Sequence, residues 1–347
     1  MLLNKENRNL ALIGAGYWGK NLARNFHQLG VLHSICDASN KTLEILAEQY
    51  KDLNSTVNPD EILSNEKITR VAIAAPAYMH YELTKKALLA GKDVFVEKPL
   101  CLDLKEAAEL VNLSKERNRI LMVGHLLQYH PCVEHIKALL ASGEFGKLHY
   151  ISSSRLNLGK FRKEENALWS FAPHDLSVIL SLVGDILPEN IQCVGGAYLN
   201  PRVVDTTMTT MRFNGDVRAH VHVSWLNPFK EQKLIIVCSD GFMVFDDTKA
   251  WNEKLVIYRQ HLVWSNGQTP VPNKTLGEAV SVTEAEPLKR ECAHFIECCE
   301  SRIEPRTNGY EGLRVLSTLT FAQESLEADG VPVMIKEADA EKNIKKS

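Results

Sequence analysis

Short apolar runs alternate with amphipathic stretches from Leu10 to about residue 125, after which the rhythm of the chain changes. Leu10 to Ile13, Leu32 to Cys36, Val71 to Ala75, Asp93 to Glu97 and Ile120 to Val123 read as buried strands. Between them, Tyr17 to Leu29, Lys41 to Tyr50, Tyr81 to Ala90 and Leu104 to Arg117 carry helical periodicity. Strand and helix in alternation at this spacing predict an α/β unit with a parallel sheet and right-handed crossovers.

Beyond residue 125 the pattern predicts a helix over Pro131 to Ser142 and an alternating strand over Leu148 to Leu158. Val203 to Phe213 and Val217 to Trp225 flank Asn214-Gly215-Asp216, a hairpin turn signal. Lys233 to Cys238 and Gly241 to Phe245 flank Ser239-Asp240-Gly241 in the same way. Consecutive hairpins predict an antiparallel sheet, and with it an α+β unit rather than a second doubly wound one. A further helix is expected over Leu288 to Glu300. The linear division that follows is 1–125, 126–335 and a polar tail over 336–347.

A length of 347 residues suits two such units. With 45% hydrophobic and 24% charged residues and a formal net charge of -3, nothing points to nucleic acid or an anionic membrane as partner. The opening residues hold no signal-peptide core, and no run has the length of a membrane span. The eight cysteines include no Cys-x-x-Cys pair, which favours free thiols in a reducing cytoplasm over zinc or disulfides. His220 and His222 have a spacing that can bind metal, but with no third ligand evident they read as a polar sheet face, and no metal is expected.

The first motif with chemistry is Gly14-Ala15-Gly16-Tyr17-Trp18-Gly19, set between a strand and a helix. Glycines there allow a tight turn and close approach of backbone to a pyrophosphate, which the helix N-terminus then attracts. Asp37 ends the second strand roughly 20 residues on, where a carboxylate accepts ribose hydroxyls. Its plain alternative is a turn or capping residue. A carboxylate repels a 2′-phosphate, so the expected cofactor is NAD rather than NADP. The second motif, Glu97-Lys98-Pro99, ends a strand on the side of a doubly wound sheet where ligands gather, with Pro99 suited to a helix's first position. An isolated Lys98 would read as a surface lysine.

These motifs, with Ala75-Pro76, His80 and the later His174, follow in order and spacing those of the glucose–fructose oxidoreductase/inositol dehydrogenase (Gfo/Idh/MocA) family, which the chain resembles over nearly its whole length. The resemblance implies an N-terminal Rossmann domain and a C-terminal domain on a large open sheet, through whose outer face such proteins form homo-oligomers, dimers or tetramers. It implies contact with cofactor for the glycine-rich turn including Tyr17 and Trp18, for Asp37, and for Ala75, Pro76, His80, Glu97 and Lys98. Lys98 and His174 would be catalytic. Residues 16–22 and Ala172 to Ser177 resemble, more narrowly, dehydrogenases of bacterial surface-polysaccharide synthesis that oxidise nucleotide-linked N-acetylamino sugars, commonly at the 3-hydroxyl. The implied substrate is a sugar or a UDP-N-acetylhexosamine.

Oxidising a secondary alcohol removes a hydride and requires a base within reach of the hydroxyl proton. Lys98 can serve directly, or stabilise the developing alkoxide while His174 takes the proton. The chain departs from the family at Ser170, where an aspartate four residues before the histidine is usual; serine supplies no charge to His174. Asp175 adjoins the histidine but diverges from it on a helix. His125, Arg155, Asn157 and Asn166 are candidate substrate contacts, with Lys160 and Arg162 beside them. The alternatives are a hydrogen-bonded structural histidine and a solvated charged loop. Two functions stay open: an NAD-dependent dehydrogenase, and a dinucleotide-binding sensor or scaffold on the same fold.

Overall fold

The computed structural model describes residues 8–159, 161–163, 165–259 and 275–335, with the backbone alone of 262–263 and 271–272. Lys160, Glu164 and the 336–347 tail lie outside the described residues. The chain forms two compact units.

The first unit opens with β1 (Leu10–Ile13), α1 (Gly19–Gln28), β2 (Leu32–Cys36) and α2 (Asn40–Gln49). It continues through β3 (Asn54–Thr56), α3 (Pro59–Leu63), β4 (Arg70–Ile73), α4 (His80–Leu89), β5 (Asp93–Glu97), α5 (Leu104–Glu116) and β6 (Leu121–Gly124). The strands pair in parallel in the order β3-β2-β1-β4-β5-β6. Every residue of β1, β4 and β5 is buried, as a strand covered on both faces requires. This order, reversing beside β1, is the doubly wound arrangement that gathers ligands at the carboxyl ends of its strands.

The second unit holds α6 (Pro131–Ala141), β7 (Leu148–Leu158), α7 (Ala167–Leu182), β8 (Asn190–Gly196) and β9 (Thr206–Arg212). β10 (Arg218–Ser224), β11 (Leu226–Cys238), β12 (Gly241–Asp246) and β13 (Leu255–Tyr258) follow. Short strands β14 (Leu262–Val263), β15 (Val271–Pro272) and β16 (Glu278–Ala279) come next. The last described elements are α8 (Pro287–Ser301), α9 (Gly309–Glu327) and β17 (Val333–Met334). Nine strands form one sheet in the order β16-β13-β12-β11-β7-β10-β9-β8-β17. Both expected hairpins are present, β9–β10 and β11–β12, but β7 pairs β10 in parallel, so the sheet is mixed. Ile151, Cys193, Met211, Ala219, Val221, Leu234 and Ile236 alternate on its buried face.

A single linear cut near residue 125 misses the return of the chain. Residues 286–316 pack with the first unit rather than the second. The cause is apolar: Phe295 of α8 joins Phe26 and Phe95 in edge-to-face contacts with ring centroids 5.8 to 6.4 Å apart. Arg24 donates to Glu286, and Arg302 Nη1 lies 2.7 Å from Asp93, fixing both ends of α8.

Candidate active site

The glycine-rich turn follows from the close passage of three backbone segments. Gly14 has φ +91°, and a Cβ on it would stand 2.5 Å from the Ala75 nitrogen. A Cβ on Gly19 would strike the Gly14 carbonyl, so both positions need glycine. Gly16 meets nothing within 4 Å of the place where its Cβ would be. The turn is thus closed toward the protein and open on the side of Gly16, and α1 begins without a side-chain cap. This is the cradle a dinucleotide pyrophosphate requires, with backbone N–H groups and the positive end of a helix facing it.

Asp37, half-buried just past β2, accepts the Ala15 N–H through Oδ2 at 2.7 Å and the Ser39 N–H through Oδ1 at 2.9 Å. Each oxygen keeps a further lone pair for a ribose hydroxyl. The residues at this edge fit NAD: an open glycine turn, an uncapped helix N-terminus and a carboxylate at the second strand's end.

Other expected contacts have structural occupations. His80 is 1% exposed, with Nδ1 2.7 Å from the Pro99 carbonyl and Nε2 2.8 Å from the Ala75 carbonyl. Burial lowers the basicity of His80, against the two carbonyls that raise it. The ring therefore braces the loops after β4 and β5 against each other. Trp18 donates its indole N–H to Glu97 Oε1, and Glu97 Oε2 accepts the Lys98 N–H at 3.3 Å. Burial pushes the Glu97 carboxyl up to about 7, partly offset by the Trp18 hydrogen bond and the Lys98 charge. Tyr17 stands 86% exposed on the turn, and Lys98 is half-buried directly after β5. Pro99 does not begin a helix: the Lys98–Pro99 bond is cis, and α5 starts at Leu104, where Asp103 accepts the N–H groups of Lys105 and Glu106.

His125 is buried, with Nδ1 2.6 Å from Glu311 Oε2, which is the structural occupation weighed for it. Two acidic residues of the same core, Glu291 and Glu311, escaped the sequence reading. The signal was present: Glu291 lies on the stripe of α8 formed by Leu288, Cys292, Phe295 and Cys299.

In the second unit, Ser170 and His174 both lie on α7, four residues apart and so on one face, with Ser170 buried and His174 half-buried. Pro173 inside α7 removes one helical hydrogen bond there. Asp175 faces elsewhere. It takes Arg155 Nε at 2.6 Å, Arg155 Nη2 at 3.2 Å and the Ser153 hydroxyl at 2.7 Å. Arg155 is accordingly half of a bidentate internal ion pair rather than a charge left for a diphosphate. Asn166 caps α7 by accepting the Trp169 N–H at 3.1 Å, and its amide donates to Gln323 at 2.9 Å. Arg162 pairs with Glu165 at 2.7 Å, and Asn157 sits half-buried on β7. His222 Nε2 lies 3.4 Å from the Thr206 hydroxyl, and His220 packs on the Tyr150 ring. Among the described residues no three His, Cys, Asp or Glu side chains are grouped to hold a metal, and no helix is long and apolar enough to cross a membrane.

Two family models match the chain: an oxidoreductase family with an NAD-binding Rossmann fold over residues 8–125, and the Gfo/Idh/MocA C-terminal domain over residues 133–244. UDP-N-acetylglucosamine 3-dehydrogenase of Acidithiobacillus ferrooxidans is 24% identical, over 91% of this chain and 96% of that protein. Its crystal structure superposes with a TM-score of 0.82 at 23% identity, covering 92% of this chain and 98% of that one. A 2,7-anhydro-N-acetylneuraminate hydratase of Escherichia coli is 28% identical over 54% of this chain and 52% of its own length. A levoglucosan dehydrogenase solved with NADH and levoglucosan has a TM-score of 0.81 at 19% identity, covering 95% of this chain and 99% of that one. With its glycine-rich edge built for a dinucleotide and both halves matched in sequence, this chain belongs to the Gfo/Idh/MocA family of NAD-binding oxidoreductases.

Proposed function

We propose that the protein is an NAD-dependent dehydrogenase that oxidises a secondary hydroxyl of a sugar, with the 3-hydroxyl of a UDP-N-acetylhexosamine as the first candidate. The observation that carries the reading is Lys98, half-buried directly after β5 beside a Glu97 locked by Trp18 of the glycine-rich turn. A base at that strand end stands where a doubly wound sheet gathers its ligands. The choice of sugar rests on the Acidithiobacillus relative, matched over nearly its full length.

Bound NAD supplies the hydride acceptor. The glycine turn would hold its pyrophosphate and Asp37 its adenine ribose. Lys98 would take the hydroxyl proton of the sugar, or would stabilise the alkoxide while His174 takes it. Ser170 orients His174 or the substrate by hydrogen bonding, without charge. Arg155 and Asn166 support this site from behind, the one by fixing Asp175 and the other by capping α7.

The eight buried thiols suit a reducing cytoplasm. The sheet of the second unit leaves Tyr150, Val194 and Met208 exposed on one face, with Ile235 and Val237 half-buried there. That face is the one proposed to meet a second copy of this chain. One observation favours a catalytically weak dinucleotide sensor instead: Ser170 in place of a carboxylate. A panel of free and nucleotide-linked sugars, followed at the reduced-nicotinamide absorbance band, decides between the two. Reduction of NAD by at least one sugar is expected; NAD binding without turnover on any of them favours the sensor.

A further inference from the structure

Glu291 is 1% exposed on α8, and neither of its carboxyl oxygens meets a hydrogen-bond partner among the described residues. Its neighbours on the same stripe are Leu288, Cys292, Phe295 and Cys298, all buried. A carboxylate in that setting has lost its water without gaining a donor, so the neutral acid is strongly favoured. Such a group contributes nothing to stability that a leucine would not improve on, and its presence in the core calls for another explanation.

The charged and titratable groups around it come from four other elements. Burial first, then the charges of Glu97 at the end of β5 and Glu311 on α9, raise the Glu291 carboxyl well above the usual carboxylate range. Glu97 in turn feels Lys98 and His125. His125, following β6, holds Glu311 at 2.6 Å. Cys292 adjoins Glu291 on α8; its thiol is pushed up mainly by burial and then by Glu291 and Glu97. Arg24 of α1 also acts on Cys292, but its guanidinium is held by Glu286. Glu97, Glu291 and Glu311 thus share one core with two basic groups, Lys98 and His125. Of the three carboxyls, Glu311 meets His125 and Glu97 meets Trp18 and the Lys98 N–H, whereas Glu291 meets no donor among the described residues, which favours the neutral acid on it.

We propose that Glu291 is a positioning residue that stores a proton behind Glu97 and releases it when positive charge arrives beside Lys98. The inference rests on the reading above, in which the nicotinamide lies next to Lys98. The oxidised ring carries a positive charge that the reduced ring lacks. NAD+ binding therefore stabilises the Glu291 carboxylate and sends its proton to solvent, whereas NADH leaves the acid intact. No electron moves in this step; the O–H bond of the acid breaks, and the buffer takes the proton. After hydride transfer the ring is neutral and Glu291 takes a proton back, so the core stays balanced through the reaction.

Calorimetric titration of the full chain with NAD+ and with NADH, each in two buffers of different ionisation enthalpy, counts the protons released on binding. Near neutral pH, NAD+ is expected to release about half a proton or more beyond NADH, since a fully coupled group approaches one. Glu291→Gln, an uncharged mimic of the acid, should bind both dinucleotides and lose that difference. Glu291→Leu gives a second variant should the glutamine form fold poorly. Equal proton release by the two dinucleotides in the wild type overturns the proposal, as does a difference that survives in Glu291→Gln. If neither dinucleotide binds, the cofactor reading itself falls and the inference with it.

Discussion

The carboxylate of Asp37 accepts the backbone N–H of Ala15 at 2.7 Å, so the residue proposed for the cofactor ribose also fixes the turn proposed for the pyrophosphate. Two consequences of replacing it can therefore be separated. The loss of negative charge removes repulsion toward a 2′-phosphate, and the loss of an acceptor loosens the turn for either cofactor. Asp37→Ser should narrow the preference for NAD over NADP about tenfold, the scale of one modest charge interaction. Affinity for NAD itself should also fall. Fluorescence titration with both cofactors checks this, and an unchanged ratio would show that another residue reads the ribose.

For Lys98 the expected signature is loss of turnover without loss of binding. A positioned acid or base contributes roughly 100- to 10,000-fold. Lys98→Ala should therefore lower kcat by at least about 100-fold while the NAD dissociation constant changes by less than about threefold. A fall in kcat of under about tenfold would remove Lys98 from the chemistry.

Arg155 makes the opposite case, a charge that the sequence offered as a substrate contact and that the structure pairs internally with Asp175. Removing one partner of a mostly buried pair strands the other, at a cost of about 3–5 kcal/mol. Arg155→Ala should lower the urea midpoint of unfolding by the corresponding amount, with a smaller relative effect on KM. A stable Arg155→Ala enzyme with a sharply raised KM would return Arg155 to the substrate.

The buried carboxyls also predict how stability depends on pH. Both Glu97 and Glu291 are raised above the usual carboxylate range, chiefly by burial. A carboxyl raised in the folded state binds more protons folded than unfolded, so stability falls as pH climbs from its unfolded value, near 4.5, toward its folded one. Glu291→Gln removes one such group. It should match the wild type near pH 4 and exceed it increasingly toward neutrality, by about 1.4 kcal/mol per unit while the wild-type group remains protonated. Thermal melts across that range would show the gap, and parallel curves would mean that Glu291 is not held as the acid.

Much of the first unit could be read from the chain, because strands buried on both faces appear as unbroken apolar runs. β1, β2 and β5 were bounded to the residue. The short β3 and α3 were not, since Asn54–Thr56 is a polar edge strand and a five-residue helix shows no period. α7 was hidden by Pro173 in its interior. The parallel pairing of β7 with β10 joins strands distant in sequence, and no local pattern encodes it. At the site, the glycine turn, Asp37 and Lys98 were legible because each belongs to a short motif. The partners of His125, Arg155 and Asn166 were not, because Glu311, Asp175 and Gln323 meet them only through the fold.

Ser170 gives the strongest test of enzyme against sensor. It is buried on α7 one helical turn before His174, so a carboxylate introduced there would lie on the imidazole's side of the helix. Burying that carboxylate costs stability unless the histidine takes a proton, and a nearby carboxylate favours the imidazolium. In an enzyme that moves its proton through His174, Ser170→Asp should orient the ring, shift the acid-side limb of the oxidation profile upward in pH and raise kcat severalfold above that limb. In a protein whose site serves binding alone, the buried charge should lower stability and ligand affinity and create no turnover. The enzyme reading is the stronger, because losing an orienting group usually costs less than losing the acid or base itself, and Lys98 and His174 are both present. The wild type should therefore already reduce NAD with at least one sugar or sugar nucleotide, and Ser170→Asp should move its pH profile. Absence of turnover in both proteins across a broad panel, with NAD still bound, would falsify the dehydrogenase reading and leave the sensor in its place.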